Sequence, residues 1–326
     1  MKPRYLLLIA SMMACTLLPA LADSRAEGSF DRTLSVSGPV DLDVETGSGS
    51  IEIRSAAASS VVIHGHIRVS GWSWFGGDSG DRVTRLEKNP PIEQNGNSIR
   101  IGRIHDWDLR QNISISYVIE TPAQTRVTLQ SGSGSQTVVG VNGPVHAKTG
   151  SGSVRIEQAR SDVEASTGSG SIDLNEIHGG VRANAGSGSI RAQGVAGSFR
   201  GSTGSGHIEL AQTAPGYVDA ETGSGSLRLE NVQGNLHAST GSGSITAGGQ
   251  PSGSWELRSG SGTISVKVPN DARFDLYAHT SSGSLQLDVP VEVQGEISKK
   301  EIRGKVRGGG NFALNVHTGS GNIRIQ

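Results

Sequence analysis

Between Val127 and Leu287, apolar and polar positions alternate in short runs that come in pairs around a glycine turn. One unit places Val163, Ala165 and Thr167 before a turn at Gly168, and Ile172, Leu174 and Ile177 after it. Another repeats the order with Val218, Ala220 and Thr222, a turn at Gly223, then Leu227, Leu229 and Val232. A period of two on both sides of a turn predicts two short half-buried strands per unit. Gly and Ser recur too often within the repeat for a helix to propagate there. The first glycine of each Gly-Ser-Gly motif falls at Gly132, Gly150, Gly168, Gly186, Gly204, Gly223, Gly241 and Gly260, at spacings of 18 or 19 residues. A degenerate copy follows at Ser281-Ser282-Gly283, and lone copies stand at Gly47 and Gly319. Self-similarity at a fixed short period marks a repeat architecture.

The pattern fits a parallel solenoid or an antiparallel meander, and the outward charges favour the solenoid. At one equivalent position successive units carry Arg155, Asp173, Arg191, Glu209 and Arg228, alternating in sign. In a parallel in-register stack these side chains lie one above another, ~4.8 Å apart, where opposite charges help and like charges hurt. Glu164 with Arg182, and Arg200 with Asp219, follow the same trend. The predicted fold is therefore all-β: an elongated parallel β-solenoid with ~18-residue rungs, irregular N-terminal strands and a C-terminal hairpin-like cap. Small Ala opposite larger aliphatics implies a narrow core. The apolar positions at Ile177, Val195 and Val232 leave open whether the solenoid has two sheets or a short third side. The glycines are read as structural, permitting positive φ at the corner and close approach of stacked backbones. No copy continues into the Gly-Lys-Ser/Thr of a phosphate loop, and none carries the Asp of a calcium-binding turn.

Outside the array, Val61 to Val69, Ser98 to Arg103 and Ile113 to Ile119 alternate as further strands. Asn89-Pro90-Pro91 and Asn95-Gly96-Asn97 read as turns. Among these strands sits an aromatic insertion containing Trp72, Trp74 and Phe75, and Trp107 lies in a second polar connection. From Pro290 to Phe312 the chain leaves the repeat and becomes locally basic at Lys299, Lys300, Arg303, Lys305 and Arg307. This excursion reads as a charged hairpin blunting the open end of the stack, with contact to an anionic polymer or lipid head group as the competing reading.

The first 22 residues look like a secretory signal: Lys2 and Arg4, an apolar run from Leu6 to Leu18, then Ala20-Leu21-Ala22 before Asp23. Cleavage is expected after Ala22. The expected division is a signal at 1–22, an N-terminal β region with the Trp-rich insertion at 23–126, regular repeats at 127–289, and a C-terminal excursion with a final repeat at 290–326. Cys15 is the only cysteine and would leave with the signal, so packing and backbone pairing must hold the fold. No later segment is apolar enough to span a bilayer. With 29 Lys and Arg against 30 Asp and Glu, the chain has no electrostatic footprint for nucleic acid.

Three segments carry a family likeness. Ile113-Ser-Ile-Ser-Tyr-Val-Ile-Glu-Thr-Pro122 leads to Val127-Thr-Leu-Gln-Ser-Gly-Ser-Gly134. Val266-Lys-Val-Pro269 leads to Phe274-Asp-Leu-Tyr-Ala-His-Thr-Ser-Ser-Gly283, and Leu314-Asn-Val-His-Thr-Gly-Ser-Gly-Asn-Ile-Arg-Ile325 closes the chain. From Asn112 onward the sequence resembles a family of bacterial exported proteins of unknown function labelled putative adhesins. That likeness implies a β-solenoid in the envelope or secreted, and offers no catalytic residues to transfer.

Candidate chemistry is sparse. Gly77-Asp78-Ser79-Gly80 imitates the nucleophile segment of trypsin-like proteases, but Asp81 stands where a second Gly belongs, and a triad is defined by geometry. His64 and His66 share a strand face without an evident third ligand. His146 and His237 share a repeat position five units apart, and His279 and His317 match in the last two copies. His105, Asp106 and Asp108 flank Trp107, a grouping whose carboxylates suit glycoside hydrolysis only if they oppose each other across a substrate. The sequence thus points to a non-enzymatic, adhesin-like envelope protein, in the periplasm, on the outer surface or extracellular. It predicts no cofactor and no metal. Its expected partners are an envelope polysaccharide or another envelope protein. The alternative is a carbohydrate-binding or carbohydrate-active solenoid. In either case Trp72, Trp74, Phe75 and Trp107 are the ligand-contacting candidates, because flat indoles stack on sugars or anchor in pockets. The competing role for these rings is to plug the N-terminal end of the core.

Overall fold

The computed structural model describes residues 26–69, 79–106, 109, 112–293, 298–310 and 312–326. The expected signal, Trp72, Trp74, Phe75 and Trp107 lie outside them. Each repeat contributes one strand to each of two sheets. In one unit Val163–Thr167 precedes the turn and Ile172–Ile177 follows it. Among the described residues one sheet has 14 strands and the other 15. Within the array the pairing is parallel and in register: Val163 lies beside Val145 and Val181, and Ile172 beside Val154 and Ile190. Alternation sends those residues, and Ala165, Ala183 and Leu174 beside them, into a core between the two sheets. Ile177, Val195 and Val232 close one edge of that core as the last residues of their strands, so the described rungs have two sheets rather than three. Their strands bend inward after Glu176, Gly194 and Asn231, all with positive φ.

The core is narrow enough to force local compensation. Phe199 stands in the column of Val163, Val181 and Val218, and the Ala of that rung becomes Gly201. A Cβ at Gly201 would press on the Phe199 ring. The sum of side-chain volume in the rung is thereby kept near that of its neighbours, as close packing demands.

The glycine turns stack as well, and of the two reasons the sequence suggests only close approach applies. None of the Gly-Ser-Gly glycines has positive φ. From Gly132 onward each instead lies against the carbonyl of the turn stacked before it, where a Cβ would collide with backbone: Gly150 on Gly132, Gly168 on Gly150, Gly170 on Gly152. The residue before the turn seals this corner. Thr222 Oγ1 donates to the Gly206 carbonyl of the previous rung at 2.9 Å and accepts from Gly225 N–H at 3.1 Å. Thr167 and Thr203 make the same pair of bonds, while Ala185 interrupts the column. Thr222→Val keeps the shape and orphans both buried backbone groups, so it should cost about 1–3 kcal/mol in a denaturant melt.

Eleven such turns stack among the described residues, beginning at Gly47 and ending at Gly283, for a length of roughly 50 Å at ~4.8 Å per rung. Their spatial order differs from chain order at both ends. Strands Val40–Thr46 and Ile51–Ala56 lie between the first regular rung and an outer layer formed by Ser98–Ile101 and Ile113–Pro122. Likewise Ala313–Thr318 and Ile323–Ile325 lie between the rung of Trp255–Ser259 and that of Phe274–Thr280. The two lone motif copies are therefore full members of the array. The degenerate turn explains the C-terminal order. Ser281 carries a Cβ where stacking favours glycine, and only the terminal turn, with a turn stacked on one side alone, has room to shift.

Antiparallel pairing covers strand edges that would otherwise recruit other chains, on both sheets at the N-terminal end and on one sheet at the C-terminal end, where Leu285–Leu287 is the outermost described strand of the other. At the C-terminal end Glu301–Val306, from the basic excursion, pairs with Phe274–Thr280 and with Val291–Val293. Arg303 lies over the Tyr277 ring at 5.1 Å. At the N-terminal end Ala26–Ser35 pairs with Ser60–Val69, which pairs with Ile113–Pro122. This cap also contains a helix, Ser79–Lys88, that the strand-only reading of the region missed. Val83 and Leu86 are buried on one face of it, Asp81 sits in its first turn, and Arg85 and Lys88 in its last, as the helix dipole favours.

Candidate functional site

The N-terminal cap brings together the flanks of both aromatic connections. One connection leaves strand Ser60–Val69 and enters the helix at Ser79, and the other lies between Asp106 and Leu109. The helix is fixed to the edge strand by Glu87, which accepts from Ser29 N–H at 3.0 Å. Arg32 donates to the carbonyls of Glu87 and Lys88 at the helix C-terminus. Arg85 then reaches the second connection, donating to Asp106 Oδ2 at 2.8 Å. Close by, Arg103 pairs with Asp43 at 2.7 Å and His105 lies 3.7 Å from Glu93. The carboxylate of Asp106 is thus held by an arginine, and its possible catalytic companion Asp108 lies outside the described residues with Gly77 and Asp78. Ser79 opens the helix.

Elsewhere the histidines sort by register. His64 contacts Asp31 on the edge strand at 2.6 Å, and His146 meets Glu164 of the next rung at 3.2 Å. His279 and His317 stack as parallel rings 5.0 Å apart with Nδ1 atoms separated by 3.1 Å, the neighbourhood expected if the excursion loops out of the stack. At such a spacing one ring donates and the other accepts. His237 sits among Asp219, Glu221 and Glu256.

The column of alternating charges forms as the spacing predicts: Arg155, Asp173, Arg191, Glu209 and Arg228 are direct partners on successive strands. Arg191 donates to Glu209 at 2.9 Å. That hydrogen bond, then the charge of Glu209 and that of Asp173, push the Arg191 guanidinium further up from its already high value. On the other sheet Arg200 contacts Asp219 at 3.3 Å, whereas Arg182 and Arg200 stand side by side with like charge. A groove of about 580 Å³ crosses this region, lined by His146, Glu164, Arg182, Phe199, Arg200 and Tyr217. Tyr217 is 41% exposed, with Val118 the other exposed large apolar side chain among the described residues. Tyr217 had no mark in the sequence, since it lies between strands and outside the repeat grammar. Among the described residues no helix is long and apolar enough to cross a membrane.

Three solved structures are similar to the chain at low identity. A putative cell adhesion protein from Clostridium sporogenes is 12% identical with a TM-score of 0.25, covering 92% of this chain and 99% of its own. A putative adhesin from Bacteroides fragilis is 10% identical with a TM-score of 0.33, covering 92% and 97%. A putative adhesin from Parabacteroides distasonis is 9% identical with a TM-score of 0.34, also covering 92% and 97%. No curated protein matches the chain. Residues 124–326 match the Toastrack DUF4097 family, and this span takes in the regular rungs, the basic cap and the interposed final rung. The chain belongs to the Toastrack DUF4097 family.

Proposed function

We propose that this is a non-enzymatic exported envelope protein that uses its solenoid as a rigid support for binding, with an envelope polysaccharide or another envelope protein as partner. The observation that carries this reading is the in-register stack of two-stranded rungs capped at both ends. Such an array transmits little conformational change along its axis, and its outward positions are polar and variable while the inward ones repeat. Rigid extended surfaces of this type serve recognition in other solenoid proteins. The signal at 1–22, cut after Ala22, belongs to the same proposal.

Ligand contact is assigned to Trp72, Trp74, Phe75 and Trp107. Two facts support the assignment: the chain has only four tryptophans, and the Arg85–Asp106 contact ties the flanks of the two connections bearing three of them. The fourth, Trp255, is buried in the array with its indole N–H on the Gly234 carbonyl. Carbohydrate is the second candidate class of ligand, favoured by the aromatic character of these connections. Trp72→Ala combined with Trp74→Ala is expected to abolish binding to isolated envelope glycan or protein fractions at unchanged melting temperature. A fall of several degrees, with binding intact in the folded fraction, would instead show that the rings close the core. Hydrolysis of a polysaccharide, lost on Asp106→Asn or Asp108→Asn, would overturn the non-enzymatic reading.

A further inference from the structure

In-register stacking places Asp219, His237 and Glu256 in one outward column on three successive strands, Val218–Thr222, Leu236–Thr240 and Trp255–Ser259. Glu221 lies beside this column, two residues from Asp219 on the same outward face. Ligand atoms of Asp219, Glu221 and His237 all lie within 4.8 Å of one another. His237 Nε2 is 3.9 Å from Glu221 and Nδ1 is 3.6 Å from Glu256 Oε2, so neither ring nitrogen is at hydrogen-bond distance from these carboxylates.

A second observation concerns Asp219 itself. Its Oδ1 is buried and has no hydrogen-bond partner, although a carboxylate oxygen in that state is costly. Its Oδ2 accepts from Arg200 Nε at 3.3 Å on the strand to one side, an interaction that holds the carboxylate, while His237 stands on the strand to the other side. Outer-sphere partners of this kind set the direction of metal ligands.

We propose that Asp219, Glu221 and His237 form a binding site for a divalent transition-metal ion such as Zn²⁺, held through His237 Nε2, with Glu256 facing the other ring nitrogen as an outer partner. Ligand atoms around a tetrahedral ion at ~2.0–2.2 Å stand roughly 3.3–3.5 Å apart, so half-exposed side chains must close by only about an ångström or so. One imidazole with carboxylates suits zinc and its neighbours, whereas calcium and magnesium favour all-oxygen shells. Arg200 and Arg258, which pairs with Glu256, offset part of the acidic charge and keep the site from being a general cation trap. Binding would clip two consecutive rungs together across the sheet face, with Glu256 of the third beside the imidazole.

The test is titration of the full-length mature chain with ZnCl₂ alone, followed by calorimetry and by melting temperature. One equivalent should bind and raise the melting temperature. His237→Ala and Asp219→Asn should each weaken binding by at least about a hundredfold. Both variants should keep the metal-free melting temperature within a few degrees, because these side chains lie on the outward face. His279→Ala with His317→Ala serves as the control and should leave the equivalent intact. No saturable binding by the unaltered chain would overturn the proposal, as would binding unchanged by His237→Ala or binding that disappears with His279 and His317. Calcium binding in place of zinc would also overturn the assigned ion class.

Discussion

Ile172→Asp should destroy cooperative folding of the central array. Ile172 is fully buried between the two sheets, flanked in its column by Val154 and Ile190. The substitution removes a large aliphatic side chain, costing about 2–5 kcal/mol by itself. It also buries a carboxylate with no partner, or forces the rung open to hydrate it. The total should exceed about 4 kcal/mol, in the range that unfolds a marginal domain. Because each rung contacts only its neighbours, a defect here separates the array into two shorter stacks. A circular-dichroism melt should show either loss of β-signal or two transitions in place of one. A single transition shifted by only a degree or two would mean that position 172 faces water.

The second large effect is expected at the turn. Gly170→Ala places a Cβ onto the Gly152 carbonyl and against Ser153 N, both backbone atoms held by the rung before. Neither can retreat without displacing the next turn, so the cost should be about 2–4 kcal/mol. Gly47→Ala, at the first glycine of its own copy rather than the second, is the open-space comparison. Nothing lies within 4 Å of a Cβ there, since the outer N-terminal layer has no turn stacked upon it, and its φ is compatible with alanine. It should be neutral or stabilising by a few tenths of a kcal/mol through the unfolded chain. Equal losses for the two variants in parallel urea melts would refute the stacking account of the motif.

Much of this architecture was legible in the residues. The period came from Gly168, Gly186 and their equivalents, the inward set from alternation, and parallel register from the charges at Arg155, Asp173 and Arg191. Those signals are local or strictly periodic, which is why they survive without structural data. The role of the glycines was half legible: close approach is right, positive φ is not, because a five-residue motif does not show which backbone torsions the corner uses. The helix at Ser79–Lys88 was hidden by its flanking Gly residues, although Val83 and Leu86 at i, i+3 before Asn89-Pro90 are the signature of a short amphipathic helix with a stop. Rung order was not legible at all. Sequence similarity shows which segments are rungs, while the order depends on which rung tolerates an open neighbour. The contact of Gly319 with Gly260 and the pairing of Ala313–Thr318 with Trp255–Ser259 reveal that choice. The acidic surroundings of His237 were missed for a related reason. Comparing histidine with histidine along the repeat overlooks carboxylates one rung away, which become neighbours only once the register is known.

The interposed final rung is the most specific claim about this chain, and a disulfide test reads it directly. Ser265 lies beside Arg324, and Arg324 beside Gln286, with all three on the outward face of one sheet. In a Cys15→Ser background, Ser265→Cys with Arg324→Cys should close an intramolecular disulfide under mild oxidation. Adjacent parallel strands hold such Cα atoms ~4.8 Å apart, inside the range a disulfide accepts. Ser265→Cys with Gln286→Cys should remain reduced, because two rungs separate these positions by roughly 9–10 Å. Closure of the second pair and not the first would mean that the rungs stack in chain order, contradicting the fold described here.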